Sequence, residues 1–396
     1  MDFSEYTVLD LSWLLPGPYG TMLLSDLGME VIKVERPGEG DYSRWLPPEV
    51  GDTGLSHLFH TVNRGKKSVV VDLQTDEGVS AFLDLAADAD VIFEQFRPGV
   101  VDRLGIGYDA VSEVNEDIVY ASLSGYGQDG PYRNRVGHDI NYAAIAGLLD
   151  KTKSKDSDMP AQPGYPIGDM GGGLLAAFAI ISGLLERELG HGGQYLDVSM
   201  TDLILSLGTG QEWAADMELA GEEIPPEWRE PPEDMIHPNH AIYETADGKY
   251  VTIAAVEEKF WDSLLEELGR EDLRDYHYAR GDRADYATEE LQSEFATRTR
   301  AEWEEALGDE IPFAPVNEFH EVFEHPQVEA REMVKKTSID GEEVTQLGFP
   351  MKSSTDIDER LEPGPDLGEH TTEVFERVLS SGEIERLRQA DVIQQS

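Results

Sequence analysis

Asp169 stands among glycines, with Gly168 before it, Gly171, Gly172 and Gly173 just after, and an apolar helix beginning at the same place. Backbone without Cβ atoms lets a substrate come close. A carboxylate at the mouth of a helix meets unpaired N–H groups and the positive end of the dipole, which favour its ionised form. Such a carboxylate is a usable nucleophile or base. The plainer alternative makes Asp169 an N-cap and the glycines a device for close helix packing, and capping aspartates far outnumber catalytic ones.

Two other groups carry chemistry. Gly137-His138-Asp139-Ile140-Asn141-Tyr142 opens a helical stretch, where a His-Asp pair could act as general acid and base or His138 could be a neutral core histidine. Asn63-Arg64-Gly65-Lys66-Lys67 concentrates basic residues that are scarce elsewhere in the chain. It reads either as a phosphate-binding patch or as a solvated strand entry.

The elements that must position these residues alternate. Thr7–Asp10 reads as a strand, the turn Leu14–Gly20 leads into a helix that Gly28 stops, and Val31–Val34 is a second strand. That βαβ unit predicts a parallel sheet, repeated through Ser68–Leu73, Gly78–Ala87 and Val91–Glu94. Arg97-Pro98-Gly99 and the Gly-rich loop Ser124–Pro131 follow strand ends, on the edge where open α/β sheets bind ligands. The first turn lacks G-x-G-x-x-G, which argues against a dinucleotide. Glu222–Pro238 is rich in Pro and Glu and reads as a linker, and Lys151–Asp158 as a charged surface loop. Beyond the linker come a hairpin turning at Asp247-Gly248, amphipathic helices over 260–307, a second hairpin about Asp340-Gly341, and a final helix over His370–Gln389.

Composition bounds the rest. The 396 residues hold 31 basic against 80 acidic side chains, a net charge of −49. A surface so acidic repels nucleic acid and anionic lipid. Molar salt shortens the Debye length to roughly 3 Å and screens that self-repulsion, so the charge reads as adaptation to a salt-rich, halophilic cytoplasm. With no cysteine, disulfides, thiolate catalysis and zinc–thiolate sites are excluded. No metal site is expected. The longest apolar run, Leu174–Leu185, is too short to span a bilayer, so a soluble cytoplasmic protein without a membrane partner is expected.

The chain resembles the class III CoA-transferase family, which also holds the α-methylacyl-CoA racemases. The resemblance runs through LLPGPYGTMLLSDLGMEVIKVERP (14–37), NRGKKSVVVDL (63–73), FRPGVVDRLGIGY (96–108), SLSGYGQDGPYRNRVGHDINY (122–142), GDMGGG (168–173), GGQYLDVSM (192–200), YETADGKYVTIAAVEEKF (243–260) and FAPVNEF (313–319). It implies an α/β fold: a Rossmann-like large domain with a parallel sheet (1–220, completed by 331–396), a smaller α/β domain (221–330), and an intertwined homodimer whose site lies between the two kinds of domain. It further implies Asp169 as catalytic carboxylate, with Gly171 and Gly172 in a mobile loop over its intermediates. Arg97 with Asn63, Arg64, Lys66 and Lys67 would hold coenzyme A, a substrate thioester, with no permanently bound cofactor.

The family divides by chemistry. His138, Tyr142 and Glu257 match the racemase pattern, in which His138 and Asp169 act as two bases. The longer segment Asp41–Lys67 matches the transferases. The reading adopted is transfer of CoA from a donor such as succinyl-CoA to a small carboxylate or dicarboxylate, with racemisation of a 2-methylacyl-CoA as the alternative.

Overall fold

The computed structural model describes residues 2–153, 157, 159–223, 237–355, 357 and 359–396. Most of Glu222–Pro238 and half of Lys151–Asp158 fall outside these. The chain divides into two compact units, Met1–Leu148 with Gln162–Thr209 and Ala330–Ser396, and Leu149–Ala161 with Gly210–Glu329. The short segment 149–161, placed with the large domain on sequence, therefore groups with the second unit.

The first unit is built on a mixed but parallel-dominated sheet. Six parallel strands, β1 (Thr7–Asp10), β2 (Glu30–Glu35), β3 (Lys67–Val71), β4 (Val91–Glu94), β5 (Val119–Ser124) and β6 (Gln194–Ser199), lie in the order β3-β2-β1-β4-β5-β6. The two-residue strand Ile393–Gln394 adds antiparallel to β3. Strands buried on both faces read as continuous apolar runs, as Val69-Val70-Val71 and Val91-Ile92-Phe93 do. On one face the helix Asp76–Ala86 packs Phe82 and Leu85 against Leu9, Ile32, Val69 and Ile92. Val374, Phe375, Ile384 and Leu387 from the C-terminal segment join the same core. The single final helix expected there is two, Thr371–Phe375 and Ser381–Gln389. Ser380 restarts the second with a capping box to Glu383, which competes with helix continuation.

The long helix Ile167–Glu186 carries the glycines. A methyl group on Gly173 would overlap the Pro16 carbonyl oxygen, one on Gly171 the Leu203 side chain, and one on Gly172 Met200. The three glycines therefore let this helix lie against the first helix (Pro16–Asp26) and the helix Met200–Ser206. They are helical and packed, which corrects the expectation of a loop. Gly173→Ala should cost about 2–3 kcal/mol, because the clash is with backbone and only a helix shift relieves it; a urea midpoint equal to the parent's would refute this packing. With its following turn the helix reaches His191, giving 25 residues that include an 18-residue window of mean hydropathy 1.6, long and apolar enough to cross a membrane by length and composition. The Leu174–Leu185 run understated it. Gly168, Gly172, Gly173, Ala176, Ala177 and Gly183 are buried in the unit, while Leu174, Phe178, Leu185 and Leu189 form an exposed apolar stripe.

The second unit carries a three-stranded antiparallel sheet, His240–Glu244, Tyr250–Ala254 and Phe313–Pro315. Gly248 makes the first turn at φ 72°, a conformation that favours glycine. Helices Glu258–Leu268 and Asp282–Phe295 cover the sheet through a core of Tyr243, Trp261, Leu291, Phe295 and Trp303.

Candidate active site

Asp169 is the third residue of its helix, and Pro166 occupies the N-cap position. Proline has no side-chain acceptor, so the first N–H groups need an outside partner. Asp139 supplies it: one oxygen, Oδ1, accepts from Gly168 N at 2.6 Å and from Asp169 N at 3.1 Å. Asp139 is thus the cap, and Asp169 is relieved of that work. Among the described residues no hydrogen bond or ion pair engages the Asp169 carboxylate.

This arrangement reverses the expected electrostatics. The N–H groups that were to hold Asp169 ionised are given to another carboxylate. Burial first, and then the charge of Asp139, push Asp169 up to about 6, with His138 opposing. A carboxylate near 6 is more basic than an ordinary one yet ionised at neutral pH, the combination a nucleophile or base needs.

His138 is the exposed N-cap of the helix Asp139–Ile145, its N–H donating to Asn141 Oδ1 at 3.0 Å. Tyr142, one turn on, is buried, and its hydroxyl donates to the Gly137 carbonyl at 2.6 Å. Burial first and Asp169 next push that hydroxyl up to about 12, so Tyr142 stays neutral and its proton is spent on holding the loop. A side chain at Gly125 would collide with the Tyr142 ring. His138, Asp139, Tyr142 and Asp169 thus come together from two helices, thirty residues apart in sequence. Glu257 stands exposed in the second unit, at the N-cap of the helix Glu258–Leu268.

Arg97 is exposed at the sheet's switch point, where the strand order turns between β1 and β4 and ligands of open sheets collect. Its turn is built by residues that sequence reasoning passed over. Buried Glu94 accepts from Phe96 N at 2.6 Å, and burial pushes its carboxyl up to about 7. Gln95 Oε1 accepts from Gly17 N at 2.9 Å, capping the first helix, whose own N-cap Leu15 has nothing to offer. The Pro16-Gly17-Pro18 start was the available signal, since it announces a helix without a side-chain cap.

Three of the other predicted phosphate ligands point inward, and the fourth, Lys67, is paired at the surface. Arg64 pairs with Asp26 at 2.5 Å and donates to the Leu347 carbonyl at 2.6 Å. Lys66 Nζ, fully buried, reaches Asp10 at 3.1 Å, Thr21 Oγ1 at 2.7 Å, Asn63 Oδ1 at 2.9 Å and the Pro18 carbonyl at 3.0 Å. Lys67 bridges Glu30 and Glu373. Asn63, Arg64 and Lys66 are therefore occupied inside the fold, a correction whose physical reason is the buried Asp26 and Asp10 that Arg64 and Lys66 neutralise, while Lys67 is tied up in partly exposed pairs. Burial would raise Asp10, but Lys66 and Lys33 more than offset it and hold it at about 2. Lys33 also binds Asp41 at 2.9 Å, and Asp41 receives the N–H of Leu14. Leu14 sits at φ 64°, a costly conformation for a side-chain residue, so this buried network fixes the strained turn between β1 and the first helix.

Residues 3–371 match the family described as CoA-transferase family III. The succinyl-CoA:glutarate CoA-transferase of Mus musculus is 34% identical over 98% of this chain and 89% of its own. The succinyl-CoA:mesaconate CoA-transferase of Haloarcula marismortui is 34% identical over 94% and 95%. The alpha-methylacyl-CoA racemase of Homo sapiens is 30% identical over 100% and 98%. A crystal structure of a CAIB/BAIF family protein from Brucella suis superposes with a TM-score of 0.79 at 30% identity, covering 96% of this chain and 99% of that one.

Proposed function

The chain belongs to the CoA-transferase family III, and from that premise we propose that it moves CoA from a donor such as succinyl-CoA to another small carboxylate or dicarboxylate. The observation that carries this reading is the unengaged Asp169 carboxylate, raised to about 6 beside its capping partner Asp139. Asp169 attacks the thioester carbonyl, the C–S bond breaks, and CoA leaves as thiolate, giving a mixed anhydride. The thiolate returns to the aspartyl carbonyl and releases the donor acid, leaving an aspartyl-CoA thioester. The acceptor carboxylate attacks that thioester and expels CoA, and the thiolate then takes the acceptor's acyl carbon and frees Asp169. Arg97 is the candidate contact for the phosphates of CoA. The large unit is taken as Rossmann-like, and the enzyme as a homodimer in which a second copy covers the stripe Leu174, Phe178, Leu185 and Leu189 and completes the site that Glu257 serves.

A second reading has its own observation: His138 opens the helix whose first residue, Asp139, caps the helix of Asp169, so the two candidate bases are carried by joined elements. Two bases beside one α-carbon would exchange its proton. The test is incubation at high salt in deuterated water with succinyl-CoA or a 2-methylacyl-CoA, with and without a carboxylate acceptor, followed by mass spectrometry. CoA transfer that requires acceptor and persists in His138→Ala supports the transferase. Deuterium entering the α-position without acceptor, and stopping in His138→Ala, would replace it by the racemase.

A further inference from the structure

Cations are scarce in this chain, and most of those in the described residues are spent on acids: Arg44 on Glu35, Arg187 on Asp90, Arg300 on Glu321. Arg135, like Arg97 and Arg133, departs from that pattern. Although acids outnumber bases 80 to 31, no ion pair engages it among the described residues. Its guanidinium lies 4.6 Å from the centre of the Tyr132 ring. Tyr132 packs edge-on to Tyr126 at 5.6 Å, and Tyr126 to Tyr142 at 5.1 Å. Tyr142 in turn feels the charge of Asp169. An aromatic ladder therefore leads from the reacting carboxylate to Arg135, the cation seated on its outer ring.

The loop that carries Arg135 is pinned on both sides. Gly125 O accepts from Thr201 N at 3.1 Å, Gln128 N donates to Asp197 at 2.9 Å, and Arg135 N donates to Tyr132 O at 2.7 Å. At its far end Asp139 caps the Asp169 helix. Arg135 is three residues from His138, which limits the separation of their Cα atoms to about 11 Å. A guanidinium resting on a ring keeps its charge and its planar fork, and that fork matches a carboxylate with two parallel hydrogen bonds.

We propose that Arg135 is a specificity-determining residue that receives the distal carboxylate of a dicarboxylic acyl-CoA while the thioester lies at Asp169. This rests on the CoA reading and goes further by assigning the substrate class to one side chain. A dicarboxylic acyl group is then selected over a monocarboxylic one of equal length.

The experiment measures dissociation constants by calorimetry in the Asp169→Ala background, where acyl transfer is blocked. The probes are succinyl-CoA and butyryl-CoA, which share the carbon count and the whole CoA moiety. Succinyl-CoA should bind tighter by roughly ten- to a hundredfold, the range for a charge-assisted pair. Adding Arg135→Gln should erase that preference and leave butyryl-CoA within about threefold. Arg135→Lys, which keeps the charge and loses the fork, should fall between. Arg386→Gln, an exposed arginine on the helix Ser381–Gln389, controls for net charge and should preserve the preference. Equal binding of the two thioesters before Arg135 is changed, or a preference surviving Arg135→Gln, overturns the inference. Equal weakening of both by Arg135→Gln also overturns it and makes Arg135 a contact for the CoA phosphates. If neither thioester binds, the CoA reading falls and this falls with it.

Discussion

Replacing Asp169 by alanine is expected to lower CoA transfer by about a thousandfold or more while acyl-CoA still binds, because the nucleophile itself is lost and the thioester contacts are not. Hydroxylamine should trap an adduct on Asp169 of the parent protein only. Transfer should rise with pH through about 6 as the carboxylate ionises. Stability should move the other way. The folded value of about 6 lies above the ordinary 3.8, so the folded chain binds this proton more tightly than the unfolded one. The carboxylate therefore costs nothing below about pH 4, and stability falls as pH rises through 6. One pKa unit is worth ~1.4 kcal/mol, and partial exposure reduces the effect. The Asp169→Asn variant should accordingly gain about 1–2 kcal/mol at pH 8 and nothing at pH 4. Urea midpoints at the two pH values check this, and a variant no more stable than the parent at pH 8 would remove the case for a desolvated carboxylate.

Lys66→Met should destabilise the fold by about 3–5 kcal/mol, the penalty for removing one partner of a buried ion pair. Asp10 would keep Lys33 nearby, but Thr21 and Asn63 would lose the ammonium they face. Molar salt should not restore the loss, since buried pairs are screened far less than surface ones. Denaturant midpoints at low and high salt measure it. A Lys66 that contacted CoA phosphates would behave differently, with unchanged stability and a higher KM for every CoA thioester. That result would return the Asn63–Lys67 cluster to the site.

The parallel sheet was legible because its strands are short apolar runs punctuated by helices and Gly turns, a pattern local enough to read along the chain. Asp169, His138 and Asp139 were legible as chemistry by type and by neighbours. Their division of labour was not, because the cap that frees Asp169 comes from a helix thirty residues earlier, and only the packed fold brings Asp139 to Gly168 N. Lys66 was misread for a related reason. Scarcity of basic residues is visible in sequence, but the direction a lysine points is decided by Asp10, on another strand. Gly171, Gly172 and Gly173 misled through propensity, since consecutive glycines disfavour helix. Packing against Pro16 and Met200 overrides that preference.

Ile393 pairs with Val71 and Gln394 with Val70, so the outermost strand of the first unit comes from the opposite end of the chain to the strand it joins. During synthesis β1 to β6 exist long before that partner does, and the second unit is made in between. The edge of β3 waits, with its backbone groups open to pairing with another chain. Contacts that span so long a stretch of sequence form more slowly than local ones. Conditions that hold the nascent chain apart from its neighbours therefore protect the interval in which this sheet is unfinished.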